Sequence, residues 1–220
     1  MELKAVIHDR YSCRKYFPDA VPRPTIEKIL DLAQKTPSWC NTQPWQVLIL
    51  SGESCCQFGE RLYAHARSGA APNPDFEFPL RYEGNYQERR KVCGVQLYQA
   101  LGIGREDKQA AAEQSLENFR FFGAPHIAFI TTEADLGVYG AVDCGLYIAH
   151  FMLAAKCLGV DSIAQAALAS YPEFIRTEFG LPASRKLVCG IAFGFGDPDH
   201  AINGYRTARG NLADAVTWRD

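Results

Sequence analysis

Two short polar segments near the start of the chain are suited to bind opposite ends of one phosphorylated aromatic ligand. Residues 10–14 read Arg-Tyr-Ser-Cys-Arg, and residues 37–45 read Pro-Ser-Trp-Cys-Asn-Thr-Gln-Pro-Trp. Two guanidinium groups and a serine hydroxyl suit a phosphate, because arginine donates paired hydrogen bonds to its oxygens. The proline-bounded segment offers amide and hydroxyl groups between two tryptophans, which suits the edge and faces of a flat heteroaromatic ring. A phosphate and a polar-edged ring together describe flavin mononucleotide (FMN).

The composition is that of an ordinary soluble protein. The 220 residues are 47% hydrophobic and 22% charged, which fits one domain with a sizeable core, or one domain with a long appended arm. The net charge of −2 does not favour a nucleic-acid or anionic-membrane partner. The first residues contain no long apolar segment, and we see no stretch approaching the roughly 18 apolar residues of a transmembrane helix. We therefore expect a cytoplasmic protein without membrane association.

The cysteines do not follow the spacing of a metal site or of a disulfide framework. The chain has 8 of them, without a C-x-x-C pair, and no metal site is expected. Cys157 and Cys189 stand in apolar stretches, which predicts buried free thiols in a reducing compartment. Cys40, inside the second polar segment, is the one thiol expected near the ligand.

Helical and extended patterns alternate along the chain. Helices are predicted at 2–9, from Pro24 or Thr25 to about 33, 54–67, 87–103, 106–120 and 146–158, and buried strands at 46–51, 124–132 and 187–196. The helix at 146–158 is apolar on all sides, which predicts burial in the core or at a dimer interface. Residues 69–86 are rich in proline, glycine and aromatic residues and predict a long irregular segment. Few strands interleaved with helices indicate an α+β fold, a central sheet wrapped by helices.

In this order and at this spacing, the two polar segments resemble the opening of the nitroreductase family of FMN-dependent oxidoreductases. Three further stretches resemble the family's middle and end: Asn-Phe-Arg-Phe-Phe-Gly-Ala-Pro at 118–125, Val-Asp-Cys-Gly at 142–145, and Gly-Phe-Gly-Asp-Pro-Asp at 194–199 followed by Asn203, Arg206 and Arg209. The long segment 69–120 is most similar to the nitrobenzoate-reductase branch.

The resemblance implies one nitroreductase-like domain over 1–220 with a mostly antiparallel sheet. It also implies an intertwined homodimer with FMN at each subunit interface, a substrate-pocket insertion at about 69–120 and an extended C-terminal dimer arm at about 197–220. By position, the phosphate would be held by Arg10, Ser12 and Arg14, with Tyr11 and Cys13 contributing backbone or packing and with Arg206 and Arg209 approaching from the tail. The flavin ring would be lined by Pro37, Ser38, Trp39, Asn41 and Gln43, and would be touched by the backbone at Gln165 and Ala166.

One stretch departs from the family pattern. Ala164 stands where the family usually has a proline, and Ala166 stands where some relatives carry a glutamate. Backbone amides there are still able to contact the flavin, because they need geometry rather than a side chain. A carboxylate that orients nicotinamide at this point is not expected in this chain.

The resemblance implies that NADPH or NADH gives hydride to flavin N5 and that an oxidant, a small aromatic electrophile such as a nitroaromatic or nitrobenzoate, then takes the electrons in a ping-pong cycle. No catalytic side chain is predicted, since the cofactor supplies the chemistry. Stacking walls for the substrate are expected from Phe76, Phe78, Tyr82, Tyr86, Phe119, Phe121 and Phe122, and a substrate carboxylate would meet Arg81, Arg89 or Arg90. Two alternatives stay open: dehalogenation or enone reduction on the same fold, and an FMN-binding or storage protein with little turnover.

Overall fold

A four-stranded antiparallel sheet forms the centre of the molecule. The computed structural model describes residues 2–219. The strands are β1 (Gln46–Ser51), β2 (His126–Glu133), β3 (Asp161–Gln165) and β4 (Arg185–Gly194), in the order β1-β2-β4-β3. Every neighbouring pair is antiparallel, and β3 lies at one edge. The predicted α+β class with a mostly antiparallel sheet is confirmed.

Helices cover both faces of this sheet. They are α1 (Leu3–Asp9), α2 (Arg23–Ala33), α3 (Glu53–Arg67), α4 (Gly84–Ala100), α5 (Lys108–Leu116), α6 (Gly137–Cys157) and α7 (Pro172–Phe179). Side chains along β2 alternate between two cores, as the period of a strand requires. Ile127 and Phe129 pack with α3, and Ala128 and Ile130 pack with α2 and α6. The sheet is therefore held between two apolar layers.

Helix α6 is longer than predicted, and only one of its faces is buried. It begins at Gly137 rather than at Leu146, and its inner face packs on α2 and on the sheet. The opposite face exposes Val138, Val142 and Leu146 by 68%, 51% and 43%. Burial was predicted in the core or at a dimer interface: the core buries only the inner face, and an interface on the outer face stays a prediction. By length and composition alone the stretch Ala134–Cys157 is apolar enough to cross a membrane, contrary to the sequence expectation, but its inner face belongs to the core.

Other differences from the sequence prediction are local. Strand β3 and helix α7 were not predicted, and α5 ends at Leu116 before a 3₁₀ turn over Glu117–Gly123. Helix α4 begins at Gly84, inside the segment predicted to be irregular, and every residue of α4 and α5 keeps some solvent exposure. Neither helix therefore contributes a buried residue to the core.

Single buried residues give mixed outcomes. His126 is a core residue with both ring nitrogens satisfied: its Nε2 accepts from the Val21 amide at 2.9 Å and its Nδ1 lies 2.9 Å from Ser51 Oγ. Cys189 is buried as predicted, whereas Cys157 is exposed. The prediction for Cys157 is wrong because this residue ends α6, where the helix leaves the core.

Candidate ligand-binding site

An arginine-rich cavity of about 610 Å³ opens between α1, α6 and the C-terminal tail. Its volume falls in the range of small-molecule sites, roughly 300–1,000 Å³. The segment after α1 and the tail supply its polar wall, and Met152 and Leu153 of α6 belong to its apolar wall. The predicted site residues that line it are Arg10, Tyr11, Ser12, Arg14, Arg206 and Arg209. The structure therefore brings the Arg-Tyr-Ser-Cys-Arg segment and the two tail arginines to one cavity.

The four guanidinium groups of this cavity have no carboxylate partner within the described residues. Three of them donate instead to backbone carbonyls and hydroxyls: Arg14 Nη1 donates to Ser12 O at 3.2 Å and to the Tyr205 hydroxyl at 3.0 Å. Arg206 Nη1 donates to Asn203 O at 2.7 Å, and Arg209 Nη1 donates to Thr207 Oγ1 at 3.0 Å. Burial, and next the nearby charge of Arg209, lower the pKa of Arg10. Such a cluster of uncompensated positive charge is suited to bind an anion.

The edge of the sheet holds the Arg-Tyr-Ser-Cys-Arg segment in place. Ser12 forms a parallel bridge with Ser162 of β3, and the buried Cys13 donates its N–H to Ser162 O at 3.3 Å. On the other side, the Arg14 N–H donates to Asn203 Oδ1 at 2.8 Å. The segment is thus fixed between strand β3 and the start of the tail before any ligand is present.

Tyr11 connects this segment to the tail through its ring. Arg206 lies over the ring at 4.0 Å, and Lys156 lies 5.3 Å from its centroid. Lys156 pairs with Asp161 at 2.9 Å, and the Tyr11 hydroxyl donates to the same carboxylate at 3.5 Å. Burial, and then the neighbouring Cys13 and Asp161, raise the pKa of Tyr11, so it stays a neutral phenol. Cation–π contact with Arg206 holds the tail over the cavity.

Backbone groups of β3 are exposed beside the same segment. The Ser162 carbonyl points away from β4, towards Cys13. Backbone groups of alternate residues in a strand point to the same side, so the N–H and C=O of Ala164 also point to this outer edge of the sheet. Ala164 and Ala166 are both exposed. The Gln165 side chain is buried instead: its Nε2 donates to Asn118 O at 3.0 Å, and its Oε1 has no partner among residues 2–219. The backbone of Gln165 points inward to β4, so the exposed backbone at this predicted contact belongs to Ala164 and Ala166.

The second polar segment forms a strained turn. Cys40, Asn41 and Gln43 adopt positive φ values of 52°, 55° and 48°. Residues other than glycine pay for this conformation, which is concentrated at functional sites. The turn is nevertheless exposed, with Trp39 61% accessible to solvent.

Hydrogen bonds hold the turn in this conformation. The Gln43 N–H donates to Ser38 Oγ at 2.9 Å, and the Gln34 side chain donates to Gln43 Oε1 at 3.0 Å. The buried carboxylate of Asp143 in α6 accepts from the Trp39 N–H, with oxygen distances of 3.1 and 3.3 Å. The turn is rigid and open to solvent, which are the properties of a preorganised contact surface.

Within one chain, the turn does not reach the arginine cavity. Trp39 packs against Tyr139, with ring centroids 4.6 Å apart, and bonds to Asp143, whereas the cavity touches Ala149, Met152 and Leu153 further along α6. At 1.5 Å per helical residue the nearest of these positions, Asp143 and Ala149, lie about 9 Å apart along the helix. The predicted site residues that do not line the cavity are Cys13, Pro37, Ser38, Trp39, Asn41, Gln43, Gln165 and Ala166.

Comparison with known proteins identifies the family. The model of the nitroreductase family matches residues 7–195. The chain belongs to the nitroreductase family. It is 37% identical to nitroreductase NfnB of Mycolicibacterium smegmatis over 97% of this chain and 91% of that protein, and 31% identical to 4-nitrobenzoate reductase of Pseudomonas putida over 94% and 91%. The crystal structure of FMN-dependent NfnB from Mycobacterium smegmatis in complex with NADPH superposes with a TM-score of 0.93 at 34% identity, covering 99% of this chain and 97% of that one.

Some residues of this nitroreductase-family site were missed from the sequence, and some predicted ones lie elsewhere. Asp143 and Tyr205 were not predicted to belong to the site. The sequence does contain a signal for Asp143, a lone carboxylate inside an apolar helix, because such a group is seldom buried without a partner. The aromatic residues predicted to wall the substrate pocket but found in the core are Phe119, Phe121 and Phe122. They follow α5 in a 3₁₀ turn that points them inward, so that part of the prediction is wrong.

The arginines predicted for a substrate carboxylate have partners in the chain. Arg81 pairs with Glu83 at 3.3 Å, Arg89 pairs with Asp214 at 3.1 Å, and Arg90 lies over the Tyr82 ring at 5.2 Å. All of these contacts are at the exposed start of α4. A carboxylate ligand would have to compete with them.

Proposed function

We propose that this chain is an FMN- and NADPH-dependent oxidoreductase that reduces nitroaromatic compounds. The observation that carries the proposal is the cavity with four guanidinium groups and no carboxylate partner among residues 2–219, directly beside the exposed edge of β3. The names of the similar proteins support it, since they are nitroreductases and a 4-nitrobenzoate reductase.

The phosphate of FMN is assigned to the arginine cavity. A phosphate monoester carries about −1.5 to −2 charges, which offsets much of the positive charge that the chain leaves unpaired. Arg10, Arg14 and Arg209 donate to its oxygens, and Ser12 adds a hydroxyl. Arg206, already stacked on Tyr11, holds the tail so that Arg209 faces the ligand.

The isoalloxazine ring is assigned to the edge of β3. A flavin edge carries carbonyl and ring-nitrogen groups that pair with backbone donors and acceptors, and Ala164 and Ala166 present such groups without a bulky side chain. In this arrangement the alanines that replace the family's proline and glutamate leave the backbone contacts available.

The turn at 37–43 completes the site in a homodimer, contributed by the partner subunit. The turn does not line the cavity of its own chain, so the turn that covers the FMN is assigned to the partner. The exposed face of α6 (Val138, Val142 and Leu146) continues onto Leu3 and Ile7 of α1, which are 67% and 54% exposed. An apolar surface of this kind is typical of an interface, and a two-fold axis would bring the partner's turn to this chain's cavity. We also propose that the tail from 197 onward contributes to this dimer, and that the protein is cytoplasmic.

When bound, FMN would accept a hydride from NADPH and pass the electrons to the nitro group in a ping-pong cycle. The chain's own task is to bind, orient and exclude water. Arg10 and Arg14 anchor the phosphate, the backbone of β3 orients the ring, and the partner's turn covers it. Phe78, Tyr82 and Tyr86 expose aromatic surfaces on which a planar substrate stacks.

Absorbance and anaerobic reduction test this function. Purified protein should absorb at about 450 nm as flavoproteins do, should lose that absorbance when NADPH is added without oxygen, and should regain it with 4-nitrobenzoate. Bleaching without recovery by any nitroaromatic, but with recovery by a haloaromatic or an enone, would favour the alternative chemistries. Bound FMN that NADPH does not reduce would indicate a storage protein, and a colourless protein that takes up no FMN would contradict the proposal.

A further inference from the structure

We propose that Asp143 is a positioning residue that fixes the 37–43 turn, and that it determines how tightly the site binds the flavin ring without affecting the phosphate. The proposal rests on the function proposed above. Asp143 is only 6% exposed and lies in the part of α6 that packs in the core. Both of its carboxylate oxygens face one donor, the Trp39 N–H, at 3.1 and 3.3 Å.

The chemistry of this contact is unusual for a purely structural role. A buried carboxylate is costly unless it is paired, and Asp143 has no lysine, arginine or histidine partner in the part of the chain that the structure describes. A leucine or alanine would pack in an apolar helix at lower cost. The carboxylate is instead used on a single backbone donor, where a charged acceptor binds about twice as strongly as a neutral one.

The position of that donor explains why a strong contact is useful. Trp39 directly precedes Cys40 and Asn41, two of the residues held at positive φ. The Ser38–Gln43 hydrogen bond closes the turn on itself, and the Gln34–Gln43 bond ties the end of the turn to α2, but neither bond reaches Trp39. The Asp143–Trp39 bond ties the turn to α6, and the outer face of α6 is the proposed dimer interface. Asp143 therefore sets the position of the turn relative to the partner's cavity.

Comparing FMN with riboflavin, which lacks the phosphate, separates this role from the phosphate contacts. Asp143→Ala should weaken the binding of FMN and of riboflavin by the same factor, roughly 10- to 150-fold. Asp143→Asn keeps a neutral acceptor and should lose less than Asp143→Ala. Arg14→Ala is the matched control and should weaken FMN while leaving riboflavin unchanged. If Asp143→Ala left the affinity for riboflavin unchanged, the proposal would be wrong.

A double-mutant cycle tests the contact itself. Trp39→Pro removes the N–H donor, and Ser38 (φ −142°, ψ 158°) already has the extended backbone that a following proline requires. Trp39→Ala controls for the lost indole. In the Trp39→Ala background, Asp143→Ala should lower the affinity for riboflavin by the same factor as in the wild type. In the Trp39→Pro background it should lower this affinity by less than about twofold. Equal losses in both backgrounds would overturn the assignment of Trp39 as the partner.

The outcomes also separate this proposal from the proposed function. Wild-type protein that binds neither FMN nor riboflavin would refute both. If the wild type binds FMN, and a folded Asp143→Ala variant binds FMN and riboflavin as tightly as the wild type does, only the role of Asp143 is refuted. Thermal unfolding of the ligand-free variants verifies folding, and sedimentation velocity verifies that the oligomeric state is unchanged.

Discussion

Replacing Arg10 should separate ligand binding from folding, because this side chain is unfavourable in the empty cavity. Arg10 is half-buried, has no carboxylate partner in the described chain, and has its pKa lowered by burial and by Arg209. Arg10→Gln removes one of these like charges and keeps a polar side chain of similar reach. The ligand-free variant is therefore expected to be at least as stable as the wild type.

The same substitution should weaken FMN binding. A charge-assisted hydrogen bond contributes about 1.5–3 kcal/mol, so the dissociation constant should rise roughly 10- to 150-fold. At an FMN concentration of 100 times the wild-type dissociation constant, FMN stabilises the wild type by about 2.7 kcal/mol. With 30-fold weaker binding, the same concentration stabilises the variant by about 0.9 kcal/mol.

Thermal unfolding with and without FMN measures both effects. For a chain of this size the midpoint should rise by about 5–10 °C in the wild type and by about 2–4 °C in the variant. Arg23→Gln is the matched control, since Arg23 is an exposed arginine paired with Glu27; it should leave the FMN effect unchanged. A ligand-free Arg10→Gln protein that unfolds at a lower temperature than the wild type, with an undiminished rise in midpoint on adding FMN, would show that Arg10 stabilises the fold and does not bind FMN.

Four further results are expected. Leu146→Glu places a charge on the exposed face of α6, so sedimentation velocity should show a monomer, and the FMN affinity should fall at least tenfold. The control Leu80→Glu, at a side chain that is 95% exposed, should leave the dimer intact. A monomer that still binds FMN would contradict a site shared between two subunits. Truncation after Tyr205 removes Arg206 and Arg209. Titration by flavin fluorescence should show the affinity for FMN lowered by about 100-fold or more and the affinity for riboflavin unchanged. An equal loss of affinity for both ligands would contradict the role of the tail in binding the phosphate. Alkylation at pH 8 followed by mass spectrometry should label the exposed Cys56 but not the thiols whose pKa burial raises to about 12, namely Cys55, Cys144 and Cys189. These thiols ionise at lower pH in the unfolded chain than in the folded protein, so the stability they contribute is complete below pH 9 and is lost as the pH rises from 9 towards 12. The free energy of unfolding should fall by about 1.4 kcal/mol per pH unit for each thiol. An equal free energy of urea unfolding at pH 8 and pH 10.5 would contradict this.

Most of the sheet could be predicted from the sequence, because three strands are continuous apolar runs. The stretch Ile127–Ile130 of β2 is fully buried on both faces, and such strands stand out in any sequence. Strand β3, Asp-Ser-Ile-Ala-Gln, has one large apolar residue, Ile163, and its extended conformation depends on pairing with β4. The start of α6 contains Gly137, Gly140 and Gly145, which lower helix propensity, so its first turns were not predicted.

The arginine cavity could be predicted in part because its residues are close in sequence. Arg10 and Arg14 are four positions apart on one segment, and a phosphate site of that type has a local signature. The contact of Asp143 with Trp39 spans 104 positions, so it depends on how α6 packs. Whether the 37–43 turn lines the cavity of its own chain likewise depends on how both pack on α6. These are tertiary properties that spacing along the chain does not determine.

In the proposed dimer, one FMN lies between the arginine cavity of one subunit and the 37–43 turn of its partner. Complementation between two defective chains, Arg14→Ala and Asn41→Ala, co-expressed with different affinity tags, tests this arrangement. Each variant alone should lose most of its bound FMN. The doubly purified heterodimer pairs one intact cavity with one intact turn and should regain one FMN per dimer with NADPH-dependent nitroreductase activity. A heterodimer with no more FMN than the two parent homodimers would contradict the account.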